Sequence, residues 1–239
     1  MAVVSSYRTI CVGRAAVAFV LLLALVSGAV VAGEKNADID KNTAEPRNWP
    51  EAFSVAFVSN VTTEGIGESP IKGYMWYDWN TRHQRVDHEA GAIECVEFYA
   101  TDGPCTLYFT PAGMYRVIKP KDGVVPTCCL DMDSIHASPP DWATTANPTY
   151  GGVVRDKYSS LAAIKWVFDN LPSRRKRRKL DDKEPHLYFE TLDGKPLIFT
   201  FPGKDGIQDY HFDVPTYDIG PQDPSIFQLP DGCDSPCTA

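Results

Sequence analysis

Near the end of the sequence, Asp209, His211 and Asp213 alternate with Tyr210 and Phe212. In an extended strand, successive side chains point to opposite faces, so the three polar residues share one face at steps of about 7 Å. Two carboxylates flanking an imidazole could hold a metal ion or exchange protons with a substrate. Calcium would use the carboxylates without the histidine. The same pattern also suits a strand with one solvated face, backed by Tyr210 and Phe212. Asp131-Met132-Asp133 has the spacing with which many glycosyltransferases hold a metal and a nucleotide sugar. Such enzymes need a phosphate-binding glycine loop between strand and helix, and no such loop occurs here, so a loop of solvated acids fits better. No Gly-x-Ser-x-Gly elbow is present, and His83, His88, His136 and His186 stand without a recognisable nucleophile. The residues favour a binding protein over an enzyme.

Arg174-Arg175-Lys176-Arg177-Arg178-Lys179 places six consecutive cations in an acidic chain of formal net charge −8. How they act depends on the compartment. The first 32 residues carry Arg8 and Arg14, no acid, and a nearly unbroken apolar run from Ala15 to Ala32, with Val30 and Ala32 at the small-residue positions of a cleavage site. We expect a signal peptide over 1–32, cut after Ala32; the alternative is an uncleaved anchor, since about 18 apolar residues just span a bilayer. A secretory route removes nuclear import as a use for the basic run. It leaves a processing site for basic-specific proteases, or an uncut loop that binds acidic glycans or the protein's own acidic surface. Without the signal, the remaining 207 residues keep 21 Lys+Arg against 31 Asp+Glu, a net −10. That balance argues against nucleic acid as a partner. Asn60-Val61-Thr62 is a usable glycosylation sequon, whereas Pro148 blocks the one at Asn147.

Cys11 leaves with the signal. Cys95, Cys105, Cys128, Cys129, Cys233 and Cys237 remain, an even set that reads as three disulfides in an oxidising compartment. Excluding a strained Cys128–Cys129 bond leaves 12 of 15 pairings, and the spacing does not choose among them. Adjacent cysteines with separate partners would pin one segment twice, and Cys233 and Cys237 suggest a tail tied back onto the body. No zinc spacing competes.

The elements that would position these groups are mainly strands. Residues 33–47 are polar and without periodicity, as in a flexible leader, and a single β-rich domain is expected over 48–239, with a basic loop insertion at 173–184. Short β-type runs cover Ala52–Val58, Lys72–Trp79, Gln84–His88, Ile93–Tyr99, Cys105–Thr110, Met114–Lys119, His186–Thr191, Leu197–Phe201 and Gln208–Asp213. Asp193-Gly194 marks a hairpin. Leu161, Ile164 and Phe168 have helical spacing and predict a short helix over Tyr158–Asn170, although Ile164–Phe168 alone would also suit a strand. In Tyr74-Met75-Trp76-Tyr77-Asp78-Trp79, alternation puts Tyr74, Trp76 and Asp78 on one side and Met75, Tyr77 and Trp79 on the other. Both faces then need cover. A curved antiparallel sheet or half-open barrel with one or two short helices and a cavity would supply it, as would a partner subunit in a homo-oligomer.

The tail Asp223-Pro224-Ser225-Ile226-Phe227, with Leu229-Pro230 and Cys233, resembles the end of ependymin-related secreted proteins. Trp76-Tyr77-Asp78-Trp79, the pair Cys128 and Cys129, and Pro139-Pro140-Asp141-Trp142 add to the likeness. The resemblance implies a secreted glycoprotein similar in fold to bacterial lipoprotein carriers, with a curved sheet around an apolar pocket, and an association with calcium. The leading expectation is a secreted, disulfide-bonded protein that binds a hydrophobic small molecule or lipid in a concave sheet. Candidate lining residues are Trp76, Tyr77, Trp79, Trp166 and Tyr188, not all of which can face the same side. The second expectation is a calcium-dependent matrix or adhesion glycoprotein.

Overall fold

The computed structural model describes residues 44–62, 70–92, 95–96, 101–119, 127–156, 158–169, 185–202 and 207–237. The signal segment, most of the leader and the basic run lie outside them. Twelve strands form one open antiparallel sheet: β1 (Ala52–Thr62), β2 (Ile71–Asp78), β3 (His83–His88), β4 (Cys105–Thr110), β5 (Gly113–Ile118), β6 (Thr127–Met132), β7 (Thr149–Arg155), β8 (Ala162–Phe168), β9 (His186–Thr191), β10 (Pro196–Pro202), β11 (Ile207–Phe212) and β12 (Asp218–Ile219). A short helix, α1 (Trp142–Thr145), and 3-10 turns at Val214–Thr216 and Pro224–Phe227 complete the described elements.

The sheet order is β6-β5-β4-β3-β2-β1-β11-β10-β9-β8-β7, with β12 pairing β1 beside this path. The chain starts in the middle and meanders outward to β6. It then crosses to the opposite edge at β7 and meanders back until β11 pairs with β1. Laid flat, ten strand steps would set β6 and β7 about 48 Å apart. Residues 133–148, which include a helical turn, join them across one face, so the sheet curves around this connection.

Alternation decides which residues meet it. The register Phe53↔Tyr77, Val55↔Met75 and Phe57↔Gly73 puts Phe53, Val55, Phe57, Met75 and Tyr77 on the concave face, where Val86 and Phe212 join them in one buried cluster. Ile164, Trp166, Phe168 and Tyr188 form a second concave cluster under Ala143 of α1. Gly73 serves a close approach: a Cβ there would lie 2.1 Å from Cζ of Phe57, whose ring covers the glycine backbone.

Two expectations need correction. Tyr158–Asn170 is not a helix: Ala162–Phe168 is strand β8. Ile164, Trp166 and Phe168 face the concave core, while Ala163 packs on the other side with Leu197 and Ile198. A strand buried on both faces loses the two-residue alternation that would identify it. In the expected strand Ile93–Tyr99, the described residues Cys95 and Val96 form a helical turn, both amides donating to Ala92 O at 2.9 Å. Ala92 and Cys95 are buried three residues apart, and Cys95 is bonded to Cys105. Strands β6 and β7 arise in a stretch that reads as irregular.

The cysteines pair as Cys95–Cys105, Cys128–Cys233 and Cys129–Cys237. Cys128 and Cys129 point to opposite faces of an edge strand, and both hold the C-terminal tail. Leu130 N donates to Ser235 O at 3.0 Å and Cys237 N to Leu130 O at 2.9 Å, so the tail also covers the free edge of β6.

A candidate ligand cavity under the seam of the sheet

A cavity of about 290 Å³ lies on the concave face where the two meanders meet. Phe57 of β1 and Tyr210 and Phe212 of β11 form the seam. Met75, Gln84, Val86 and His88 come from β2 and β3, Leu107 and Phe109 from β4, and Phe199 from β10. Trp49, Ser138 and Trp142 close it from above. All these residues are described, and no Asp, Glu, Lys or Arg is among them.

The roof is fixed by hydrogen bonds rather than by regular structure. Tyr77, fully buried, donates its hydroxyl to Ser138 O at 2.8 Å. Trp49 N donates to Pro140 O at 2.9 Å, and Trp49 Nε1 donates to the Tyr188 hydroxyl at 3.1 Å. Thr144 Oγ1 donates to Pro46 O at 3.0 Å. Glu190, with no exposed surface, accepts from Arg47 N at 3.1 Å and from Trp166 Nε1 at 3.1 Å. Burial pushes the Glu190 carboxyl above the usual carboxylate range, and those two donors, with the Arg47 charge, partly offset the rise. The segment Ala44–Pro50 is thereby bound to the body by β9, although its first residues read as leader.

His88 is 4% exposed, edge-on to Phe57 at 5.5 Å and to Tyr210 at 6.2 Å. Burial brings its pKa down to about 4, against a small opposing pull from Asp87. At neutral pH it is an uncharged group in an apolar wall.

Tyr77, Trp166 and Tyr188, expected as lining residues, face the concave side but are packed solid in its core. Trp79 is half-buried at the end of β2, with the Arg82 guanidinium over it at 5.5 Å. Trp76 is on the opposite face, 4.4 Å from Tyr74, with Arg85 over its ring at 5.1 Å. None of the five borders the 290 Å³ cavity. Residues that composition did not single out border it instead: Phe57, Met75, Val86, His88 and Phe199 beneath Trp49 and Trp142. The alternation of Phe53, Val55 and Phe57 was a usable signal for the seam. Nothing local in the sequence marks Trp49, Trp142 and Phe199 as neighbours.

Asp209 and His211 share the convex face of β11, as alternation predicts, with His211 Nε2 3.7 Å from Asp209 Oδ2. Asp213 follows the strand end, is exposed, and donates its amide to Ala56 O at 2.9 Å. Among the described residues no three such side chains gather as a metal site. Asp156, Tyr158, His211 and Asp213 border a separate cavity of about 520 Å³ on that face. A third, of about 590 Å³, has Lys72, Asp87, Glu89 and Lys119 among its lining residues. Asn60 is in β1 opposite Asp209, and its side chain lies outside the described residues.

The fold and cavity define a curved-sheet protein with a recessed apolar site. No family model matches the chain, and no curated protein matches it. Among solved structures, an uncharacterised conserved protein from Thermus thermophilus is similar with TM-score 0.48 and 9% identity, over 78% of this chain and 89% of that one. A LolA superfamily protein from Nitrosomonas europaea gives 0.35 and 10%, over 77% and 92%. A chain of the MucA/MucB complex from Pseudomonas aeruginosa gives 0.39 and 14%, over 79% and 59%. Among the described residues no helix is long and apolar enough to cross a membrane.

Proposed function

We propose that this chain is a secreted protein that holds an apolar or amphipathic ligand in the cavity under the β1–β11 seam. The observation that carries this reading is the wall itself. It is a recessed space of about 290 Å³ built from Phe57, Met75, Val86, Phe109, Phe199 and Phe212, capped by Trp49 and Trp142, with no Asp, Glu, Lys or Arg among its described lining residues. Three disulfides fit an oxidising compartment, and the apolar leader is the route to it. Carriage rather than turnover suits a site whose described lining holds no Asp, Glu, Lys or Arg.

The test begins with native mass spectrometry of protein secreted from a eukaryotic host, repeated under denaturing conditions. A co-purifying small-molecule mass supports the reading, and the same spectra report signal cleavage and a glycan at Asn60. Val86→Phe, which fills the cavity, should lower the affinity for a neutral fluorescent probe such as N-phenyl-1-naphthylamine at least tenfold. Trp76→Ala on the convex face should leave it unchanged. Equal effects of the two substitutions, or no probe binding at all, would place the ligand elsewhere or remove it.

A further inference from the structure

On the concave face of β3 an amide stands among apolar side chains. Gln84 shares that face with Val86 and His88, and the register sets it between Tyr77 of β2 and Phe109 of β4. Its neighbours Tyr77, Met75 and Val86 are buried, whereas Gln84 is half-buried and borders the cavity. Among the described residues its amide makes one hydrogen bond, from Nε2 to Met75 Sδ at 3.4 Å. That contact turns the amide along the wall toward Met75, itself a lining residue, and a thioether is a weak acceptor. Oε1 takes no hydrogen bond among the described residues and is not sealed from water. A methionine or leucine would continue the apolar wall, while an amide set in apolar surroundings costs stability unless it finds partners. A glutamine here makes physical sense as a hydrogen-bonding group open to whatever fills the cavity.

The register also gives the cavity two ends. Tyr77, the cross-strand neighbour of Gln84, donates to Ser138 O at 2.8 Å, so Gln84 and the roof residue Ser138 belong to the same end. His88, four residues along β3, lies about 13 Å away. There, at the seam, His88 and Tyr210 meet the Phe57 ring at 5.5 Å and 5.3 Å. The volume of about 290 Å³ corresponds to about ten liquid water molecules, room for one slender chain but not two. No Asp, Glu, Lys or Arg is among the described lining residues, so a charged head would give up its hydration for no opposite charge. We propose that the cavity takes a single-chain ligand whose neutral head both donates and accepts hydrogen bonds, as a hydroxyl or an amide does, with the head held by Gln84 and the apolar tail under the β1–β11 seam. This proposal rests on the cavity being the ligand site and adds the chemical class and the orientation of its occupant.

The experiment is displacement of bound N-phenyl-1-naphthylamine at pH 7.5 by 1-decanol, undecane and decanoate, in the wild type and in Gln84→Met, which keeps the length of the side chain and removes its amide. Decanol and undecane have equal numbers of heavy atoms. In the variant the concentration of decanol needed should rise about fivefold or more relative to that of undecane, the scale of one or two neutral hydrogen bonds. Decanoate should compete less well than decanol in both proteins. Comparing ratios between the two proteins cancels differences in ligand partitioning. An unchanged ratio of decanol to undecane would overturn the proposal, because Gln84 is then only a wall, and so would decanoate matching decanol in the wild type. In ¹⁵N-labelled wild type, the side-chain NH₂ resonances of Gln84 should shift when decanol displaces the probe and not when undecane does. The same response to both would equally overturn the proposal, and this readout does not depend on the variant folding. No displacement by any of the three, with the probe bound, would instead defeat the cavity reading on which the proposal stands.

Discussion

Acidification should weaken this protein in part through a buried histidine, His88. Its imidazole is 4% exposed and its pKa is about 4, against about 6.5 for a free histidine. The folded state therefore holds the proton less readily than the unfolded chain does. Between pH 6.5 and 4 the unfolded state binds more protons, so stability falls as pH falls through that window. For a shift of this size the loss is near zero at pH 7.5, roughly 1 kcal/mol at pH 5.5 and roughly 2–3 kcal/mol at pH 4.5. The assay is urea unfolding of the wild type and of His88→Gln at these three values. The variant lacks the titrating ring, so the wild-type minus variant difference should move by roughly 2–3 kcal/mol between pH 7.5 and 4.5. Groups common to both proteins, Glu190 among them, cancel in that difference. Parallel curves would refute the reasoning, as would an imidazole resonance titrating with a midpoint above 6. Because His88 also borders the cavity, affinity for a neutral ligand should decline only as pH falls toward and below about 4, where the ring of the folded protein takes up its proton and brings charge and water into the site.

Gly73→Ala would place a Cβ 2.1 Å from Phe57 Cζ; the overpacking should cost about 1–3 kcal/mol and, by tilting the seam ring, reduce probe affinity, whereas unchanged binding would separate Phe57 from the site. Glu190→Gln should gain on the wild type as pH rises above 4.5, because a carboxyl held above its ordinary range loses folded-state stability when it ionises; urea melts from pH 4 to 7.5 showing the opposite trend would contradict that burial effect. Cys128–Cys233 and Cys129–Cys237 close nearly the same loop, with sequence separations of 105 and 108. Replacing either pair by serine should cost little while the other remains, and removing both should cost about 4–5 kcal/mol in the chain-entropy model; additive losses would argue for a local role of each bridge. Cleavage within Arg174–Lys179 would leave two pieces joined by both bridges, so they should separate on denaturing gels only after reduction.

Alternation was legible wherever one face of a strand met the core and the other did not. Tyr74 to Trp79 divided into convex and concave sets as read, and Asp209 and His211 share a face. It failed in β8, because Ala163 is buried on one side and Trp166 on the other. It was also silent on β6 and β7. In β6 the adjacent cysteines serve opposite faces. β7 carries the Gly151-Gly152 pair at a shift in register, with Gly152 at φ +93°. Pairing the cysteines required the sheet order, since only the tail's path along β6 brings Cys233 and Cys237 to Cys128 and Cys129.

The cavity was illegible for a different reason. The largest aromatics drew attention as ligand contacts, yet Trp166, Tyr77 and Tyr188 are the side chains the fold packs most completely. A large ring stabilises most when it is fully removed from water, so on a concave sheet the biggest residues go where sheet and roof touch. Space remains where medium-sized side chains such as Val86, Leu107 and Met75 lie beneath a roof that is held off by other contacts. Here those contacts are the Tyr77–Ser138 and Trp49–Tyr188 hydrogen bonds, in which Tyr77 and Tyr188, packed beside the cavity, hold the roof residues Ser138 and Trp49. Shortening the roof's supports rather than its lining should then close the site. Tyr77→Phe, which removes the bond to Ser138 while keeping the ring, should lower probe affinity more than it lowers stability; the reverse ordering would mean that the wall residues, not the supports, hold the cavity open.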